Sequence, residues 1–261
     1  MRFISFGSGS SGNSYLFQTG EQMFLIDIGL TPRRVRQYFS DYGLNIQNLK
    51  AIFITHDHTD HIKGAGLMSE ELQIPVYATA EVHAGMDRNY CMSHKIPISL
   101  RRYLTKEEPL YILGTEITPF DVPHDSSDCV GYIVKESNTK LVLMTDVGHI
   151  TDRMREVVAD VRYLIVEANH DVNMLAMGPY PMHLKDRIRG ERGHLSNEEG
   201  ARFVADCCGE CLQHVWLCHL SEENNHPEIA RKAYEQIFND RGLNVELTVL
   251  KRQVPSILYE L

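Results

Sequence analysis

Residues 51–61 read Ala51-Ile52-Phe53-Ile54-Thr55-His56-Asp57-His58-Thr59-Asp60-His61. The apolar run up to Thr55 has the composition of a buried strand. It breaks into a segment dense in imidazole and carboxylate, and such a density is costly unless a cation sits there. His56 and His58 are two apart and can leave an extended segment on one side, while Asp60 and His61 follow on a tight loop. That spacing suits two neighbouring metal ions. The blander alternative is a solvated loop, with Asp60 capping a helix that starts near His61.

Working outward, the same pattern recurs. Ile117 to Val122 runs into Pro123-His124-Asp125, Leu141 to Met144 into Thr145-Asp146, Leu164 to Val166 into Glu167, and Val215 to Leu217 into Cys218-His219. Each apolar strand ends in a group that binds a metal or a proton, and active sites gather at strand ends where loops converge. One such histidine is incidental; the repetition is not.

Upstream, strands over Arg2–Phe6 and Asn13–Gln18 flank Gly7-Ser8-Gly9-Ser10-Ser11-Gly12. This glycine-serine loop allows close backbone approach to a ligand and makes Ser11 and Asn13 candidates for contact with a substrate phosphate. A mobile hairpin tip reads equally well, and no P-loop lysine follows. A third strand, Met23–Ile28, carries Asp27 near its end. Thr31-Pro32 opens a helix that runs to about Tyr42 and stops at Gly43. Further helices are expected over Met68–Gln73, Glu81–Arg88, Glu198–Cys211 and from Pro227 to Gly242, and a strand over Val245–Leu250 closes the chain. His83, His94, His170, His183, His214 and His226 read as structural or exposed.

The 261 residues suffice for one substantial core, and 43% hydrophobic with 23% charged residues is an ordinary globular balance. No window is apolar enough to span a bilayer, and the N-terminal stretch lacks a signal-peptide core, so the expectation is a cytoplasmic protein with no membrane partner. The net charge of −9 argues against broad attraction to nucleic acid. It does not exclude such a substrate, because bound divalent cations reverse the sign locally. Cys207-Cys208-x-x-Cys211 lacks a second pair to complete a zinc knuckle, and reduced thiols suit the same compartment.

His56-x-His58-x-Asp60-His61 after a hydrophobic strand resembles the signature of the metallo-β-lactamase superfamily. The resemblance implies an α/β fold, a four-layered αββα sandwich, here as a single domain over 1–261. It assigns His56, His58 and His124 to one metal, Asp60, His61 and His219 to a second, and Asp146 to a bridge between them. Asp27 then orients the metal loop, and His149 is a candidate for the same supporting layer. A hydroxide held between the ions would be the nucleophile. The imidazole and carboxylate set permits zinc or manganese and is compatible with iron.

Leu164-Ile-Val-Glu167-Ala-Asn-His170 and Gly193-His194-Leu-Ser196-Asn197 resemble paired motifs of the phosphodiesterase branch that includes tRNase Z. In that branch the glutamate orients the histidine, which makes His194 the candidate general acid for the leaving alkoxide and Glu167 its holder. Ser196 and Asn197 open the following helix, whose N-terminus suits a phosphate, although Ser196-x-x-Glu199 is also a capping box. Lys185 and Arg187, with Arg189 and Arg192, form a track for nucleic-acid phosphates or else a solvated helix face interrupted by Asp186 and Glu191. The fuller string, with Gly178-Pro-Tyr-Pro181 and His219-Leu-Ser-Glu-Glu-Asn-Asn225, is similar to the bacterial YycJ (WalJ) subgroup. That likeness implies a small nuclease without a β-CASP insertion, acting as a 5′ exonuclease with DNA favoured over RNA as substrate. The alternatives are a hydrolase of a small phosphodiester or cyclic nucleotide, and a metal-binding regulatory protein with little turnover.

Overall fold

The computed structural model describes residues 1–261. Its contacts divide into two compact units, Met1–Pro119 with Ser126–Val130 and Lys251–Leu261, and Phe120–Asp125 with Gly131–Leu250.

In the first unit, β1 (Arg2–Gly7), β2 (Ser14–Thr19) and β3 (Gln22–Ile26) form an antiparallel meander, followed by α1 (Pro32–Asp41) and β4 (Leu49–Phe53). β4 leads through α2 (Thr59–Ile62) and α3 (Ala65–Leu72) to β5 (Val76–Ala78), and α4 (Ala80–Arg88) precedes β6 (Arg101–Tyr103) and β7 (Leu110–Ile112). β3, β4, β5 and β6 are parallel neighbours, so β4 is internal and its residues after Lys50 are buried. Ile4, Leu16, Leu25 and Ile52 join Val35 and Phe39 of α1 in one apolar cluster. The opposite face carries Phe3, Phe17 and Phe24, with successive ring centroids 5.3 and 5.2 Å apart. Thr31 caps α1 by accepting from the Arg34 N–H, and Gly43 takes the left-handed conformation beyond its end.

The second sheet begins with β7 paired to β8 (Thr115–Asp121) and continues through β9 (Val130–Glu136) and β10 (Thr139–Met144). After α5 (Asp152–Val158) comes β11 (Tyr163–Glu167), then α6 (Val172–Met177), α7 (Met182–Arg189) and α8 (Asn197–Cys207). β12 (His214–Cys218), α9 (Pro227–Asp240) and β13 (Glu246–Val249) complete the second unit. β10, β11, β12 and β13 run parallel in adjacent positions. Asp146, Glu167 and His219 therefore leave this sheet at one end, which is the physical content of the repeated strand-end pattern.

Two expectations are corrected. The helix expected to reach Cys211 ends at Cys207, where Cys208 adopts an extended conformation as its cap, and residues 209–212 form a turn. The chain does not close with the strand near Val249, because β14 (Tyr259–Glu260) pairs antiparallel with β1. No helix is long and apolar enough to cross a membrane.

Candidate functional site

The first donor set follows β4. The Asp27 carboxylate is wholly buried and accepts from the Thr55 N–H and hydroxyl, each at 2.8 Å, while its Oδ2 lies 2.7 Å from His61 Nδ1. Burial pushes Asp27 above the usual carboxylate range, against the pull of His61 and Thr55. Asp27 also holds a left-handed backbone at φ 59°, a costly conformation for a residue other than glycine. With Nδ1 of His61 turned to Asp27, the Nε2 lone pair faces the Asn13 amide nitrogen at 2.9 Å. The same amide donates to Asp60 Oδ2 at 3.2 Å. His56 Nδ1 lies 3.0 Å from the Thr55 hydroxyl, and its ring centroid is 4.7 Å from that of His58 and 4.0 Å from that of His61. Gly29 is required here, since a Cβ on it would fall 1.6 Å from the Asp60 carbonyl oxygen. Asp57, in the middle of the motif, accepts from the Ser127 N–H and hydroxyl and so fixes the loop.

The second set surrounds Glu167, which is wholly buried at the end of β11. Its Oε1 lies 2.8 Å from His194 Nδ1 and 2.9 Å from His219 Nδ1, and its Oε2 accepts the Val147 and Leu195 N–H groups at 2.9 and 3.1 Å. Burial opposes its charge, yet the two imidazoles hold the carboxyl below the usual range. Burial likewise lowers His194, but the Glu167 charge and hydrogen bond, with Asp146 behind them, raise it above the ordinary imidazole value. Asp146 and His219 both occupy left-handed backbone, at φ 57° and 54°, and Asp146 Oδ1 lies 3.3 Å from His219 Nδ1. Donor atoms of Asp146, Glu167, His194 and His219 all fall within 4.8 Å of one another. His124 Nδ1 lies 3.1 Å from the Gly193 carbonyl, and its Nε2 is 3.7 Å from Asp146 Oδ1.

These donors fit a divalent cation. In His124 and His219 the Nδ1 atom is engaged by a carbonyl or carboxylate, which fixes the tautomer so that Nε2 carries the lone pair for a metal, while the His61 Nε2 lone pair would exchange the Asn13 amide for the ion. Nitrogen and carboxylate oxygen without thiolate suit a borderline to hard divalent ion.

The remaining predicted residues fall as follows. Ser196 caps α8 in a complete capping box with Glu199, and Asn197 is buried in a reciprocal amide pair with Asn225. Lys185 is buried and donates to the Ala176 carbonyl at 2.8 Å, so it offers little to an open track. Arg187 pairs with Asp125, and Arg192 donates to the His124 carbonyl at 2.9 Å. Ser11 is exposed, whereas Asn13 is buried against Asp60 and His61 rather than presented to solvent. His149 is exposed with Nδ1 2.7 Å from the Glu191 carbonyl, and it meets no donor of this set among its hydrogen bonds.

Sequence reasoning missed two features. Glu167 holds His219 as well as His194, a contact between strand ends that no local spacing announces. Asn225 donates to the carbonyls of Ala168 and Asn169 and so ties the loop after His219 to the end of β11. The run Glu222-Glu-Asn-Asn225 after a strand-end histidine was the available signal.

A family model described as a beta-lactamase superfamily domain matches residues 23–219. The chain is 34% identical to the exodeoxyribonuclease YycJ of Bacillus anthracis over 245 residues, 94% of this chain and 92% of that protein. It is 33% identical to the exodeoxyribonuclease WalJ of Streptococcus pneumoniae over 250 residues, 95% and 93% of the two chains. Among solved structures, the metallo-β-lactamase-fold protein YhfI of Bacillus subtilis superposes with a TM-score of 0.73 over 100% of both chains, at 18% identity. That last likeness is one of fold.

Proposed function

The chain belongs to the metallo-β-lactamase superfamily of hydrolases, in the group of the YycJ and WalJ proteins, and on that premise we propose that it is a dinuclear metal-dependent exonuclease that degrades DNA from the 5′ end. His56, His58, Asp60 and His61 are the proposed donors from the first unit, and His124, Asp146 and His219 those from the second. When bound, the ions, zinc or manganese, would supply Lewis acidity and lower the pKa of water. With its cysteines free and DNA as substrate, the proposed setting is the cytoplasm.

The observation that carries the phosphodiesterase reading is the buried Glu167–His194 pair, 2.8 Å between Oε1 and Nδ1. Cleavage of a phosphodiester expels an alkoxide, a poor leaving group unless it is protonated. A charged Glu167 keeps the His194 imidazole protonated to higher pH and fixes its ring, so that Nε2–H is the proton delivered to the leaving oxygen. The same carboxylate binds the Val147 and Leu195 N–H groups, and the donor is thereby held by the backbone around it.

The test is digestion of end-labelled single- and double-stranded DNA and RNA by metal-loaded protein beside Asp60→Ala. Stepwise loss from the 5′ end of DNA by the parent alone is the expected result. Cleavage of bis(p-nitrophenyl) phosphate without cleavage of any polymer would replace the nuclease reading with that of a small-phosphodiester hydrolase.

A further inference from the structure

His170, Val172, Arg189, Ser196, Glu199 and Arg202 line a cavity of about 310 Å³ in the second unit, at the N-terminus of α8. Its wall contains an unusual group. His170 is almost fully buried, yet its Nδ1 has no hydrogen-bond partner in the protein. A buried polar atom left in that state costs free energy unless something else completes it. Its backbone is fixed, because the His170 carbonyl accepts the Asn197 N–H at 2.9 Å and a short parallel bridge joins His170 to Ser196.

We propose that this cavity is a nucleotide subsite for the DNA strand, with the edge of a base meeting His170 and the adjoining phosphate meeting Arg189. The inference rests on the nuclease reading. Burial lowers His170 to about 4 against the opposing pull of the Glu167 and Glu199 charges, with His194 and Arg189 adding smaller depressions, so the ring is neutral near pH 7 and offers Nδ1 as a single donor or acceptor according to tautomer. The acidic groups of the first helical turn are already occupied. Glu199 Oε2 accepts from the Ser196 N–H and hydroxyl, and Glu198 pairs with Arg202 at 2.9 Å. Arg189 stands exposed in the last turn of α7, and exposed Val172 supplies an apolar surface for the face of a base. Beside the two paired carboxylates Glu198 and Glu199, the wall offers a neutral ring, an apolar side chain and the exposed Arg189, a mixture that suits a nucleotide better than a bare anion. The position also fits the chemistry, because Ser196 lies two residues beyond His194 and His170 three beyond Glu167.

Steady-state kinetics of the metal-loaded protein on a short single-stranded DNA and on bis(p-nitrophenyl) phosphate, which lacks a nucleobase, tests the proposal with His170→Leu and the exposed Arg189→Ala. Loss of one good contact raises KM for DNA about five- to tenfold, with kcat changed by less than about twofold. The fall in kcat/KM is then several-fold larger on DNA than on the base-free diester. Equal falls on both substrates, or no change on DNA, would overturn the subsite. If the parent cleaves neither substrate, the nuclease reading itself has failed. Fluorescence anisotropy of the labelled strand then still decides the pocket, with weaker binding by Arg189→Ala supporting it and equal binding rejecting it.

Discussion

Oε1 of the buried Glu167 lies 2.8 Å from Nδ1 of His194. This contact raises the His194 pKa against the opposing effect of burial. A general acid works only while protonated, so activity is lost as pH rises through its pKa. Glu167→Gln removes the charge and lets that pKa fall. The alkaline limb of the kcat profile should move to lower pH, with kcat near neutrality down by roughly a hundredfold. An unmoved alkaline limb would separate Glu167 from proton transfer.

Asp27 stands behind His61 at 2.7 Å and receives two hydrogen bonds from Thr55. Losing such an outer partner typically weakens metal binding by about 10- to 100-fold. Asp27→Asn should therefore release metal to a competing chelator at correspondingly lower chelator concentration, while far-UV circular dichroism stays native. Unchanged metal affinity would make Asp27 a purely structural residue.

Lys185 is a buried strut, joining α7 to the Ala176 carbonyl of α6. Lys185→Met should lower stability by about 1–2 kcal/mol in denaturant titration. The salt dependence of DNA binding should keep its slope, since no phosphate contact is lost. A slope reduced by about one would restore Lys185 to the phosphate track.

Much of the frame was legible because it is local. Thr31, Pro32 and Gly43 mark both ends of α1, and the apolar runs before His56, Asp146, Glu167 and His219 are strands because each is internal to its sheet. What escaped depends on distant partners. β14 is two residues long and exists through its pairing with Arg2 and Phe3. Lys185 reads as a surface cation until the Ala176 carbonyl is brought beneath it. Asn13 reads as a loop residue open to substrate, but the loop folds its amide onto Asp60 and His61. The role of Glu167 was half visible, since its pairing with His194 followed from motif resemblance while its grip on His219 needed the parallel pairing of β11 with β12.

The central claim is that His194 protonates the leaving oxygen, and leaving-group dependence tests it most directly. Single-turnover rates of parent and His194→Ala would be compared on DNA, whose leaving alkoxide needs a proton, and on bis(p-nitrophenyl) phosphate, whose p-nitrophenolate departs without one. The account predicts a loss of about a hundred- to ten-thousand-fold on DNA and a far smaller loss on the activated diester, at equal metal content. Equal losses on both, or an undiminished rate on DNA, would contradict it.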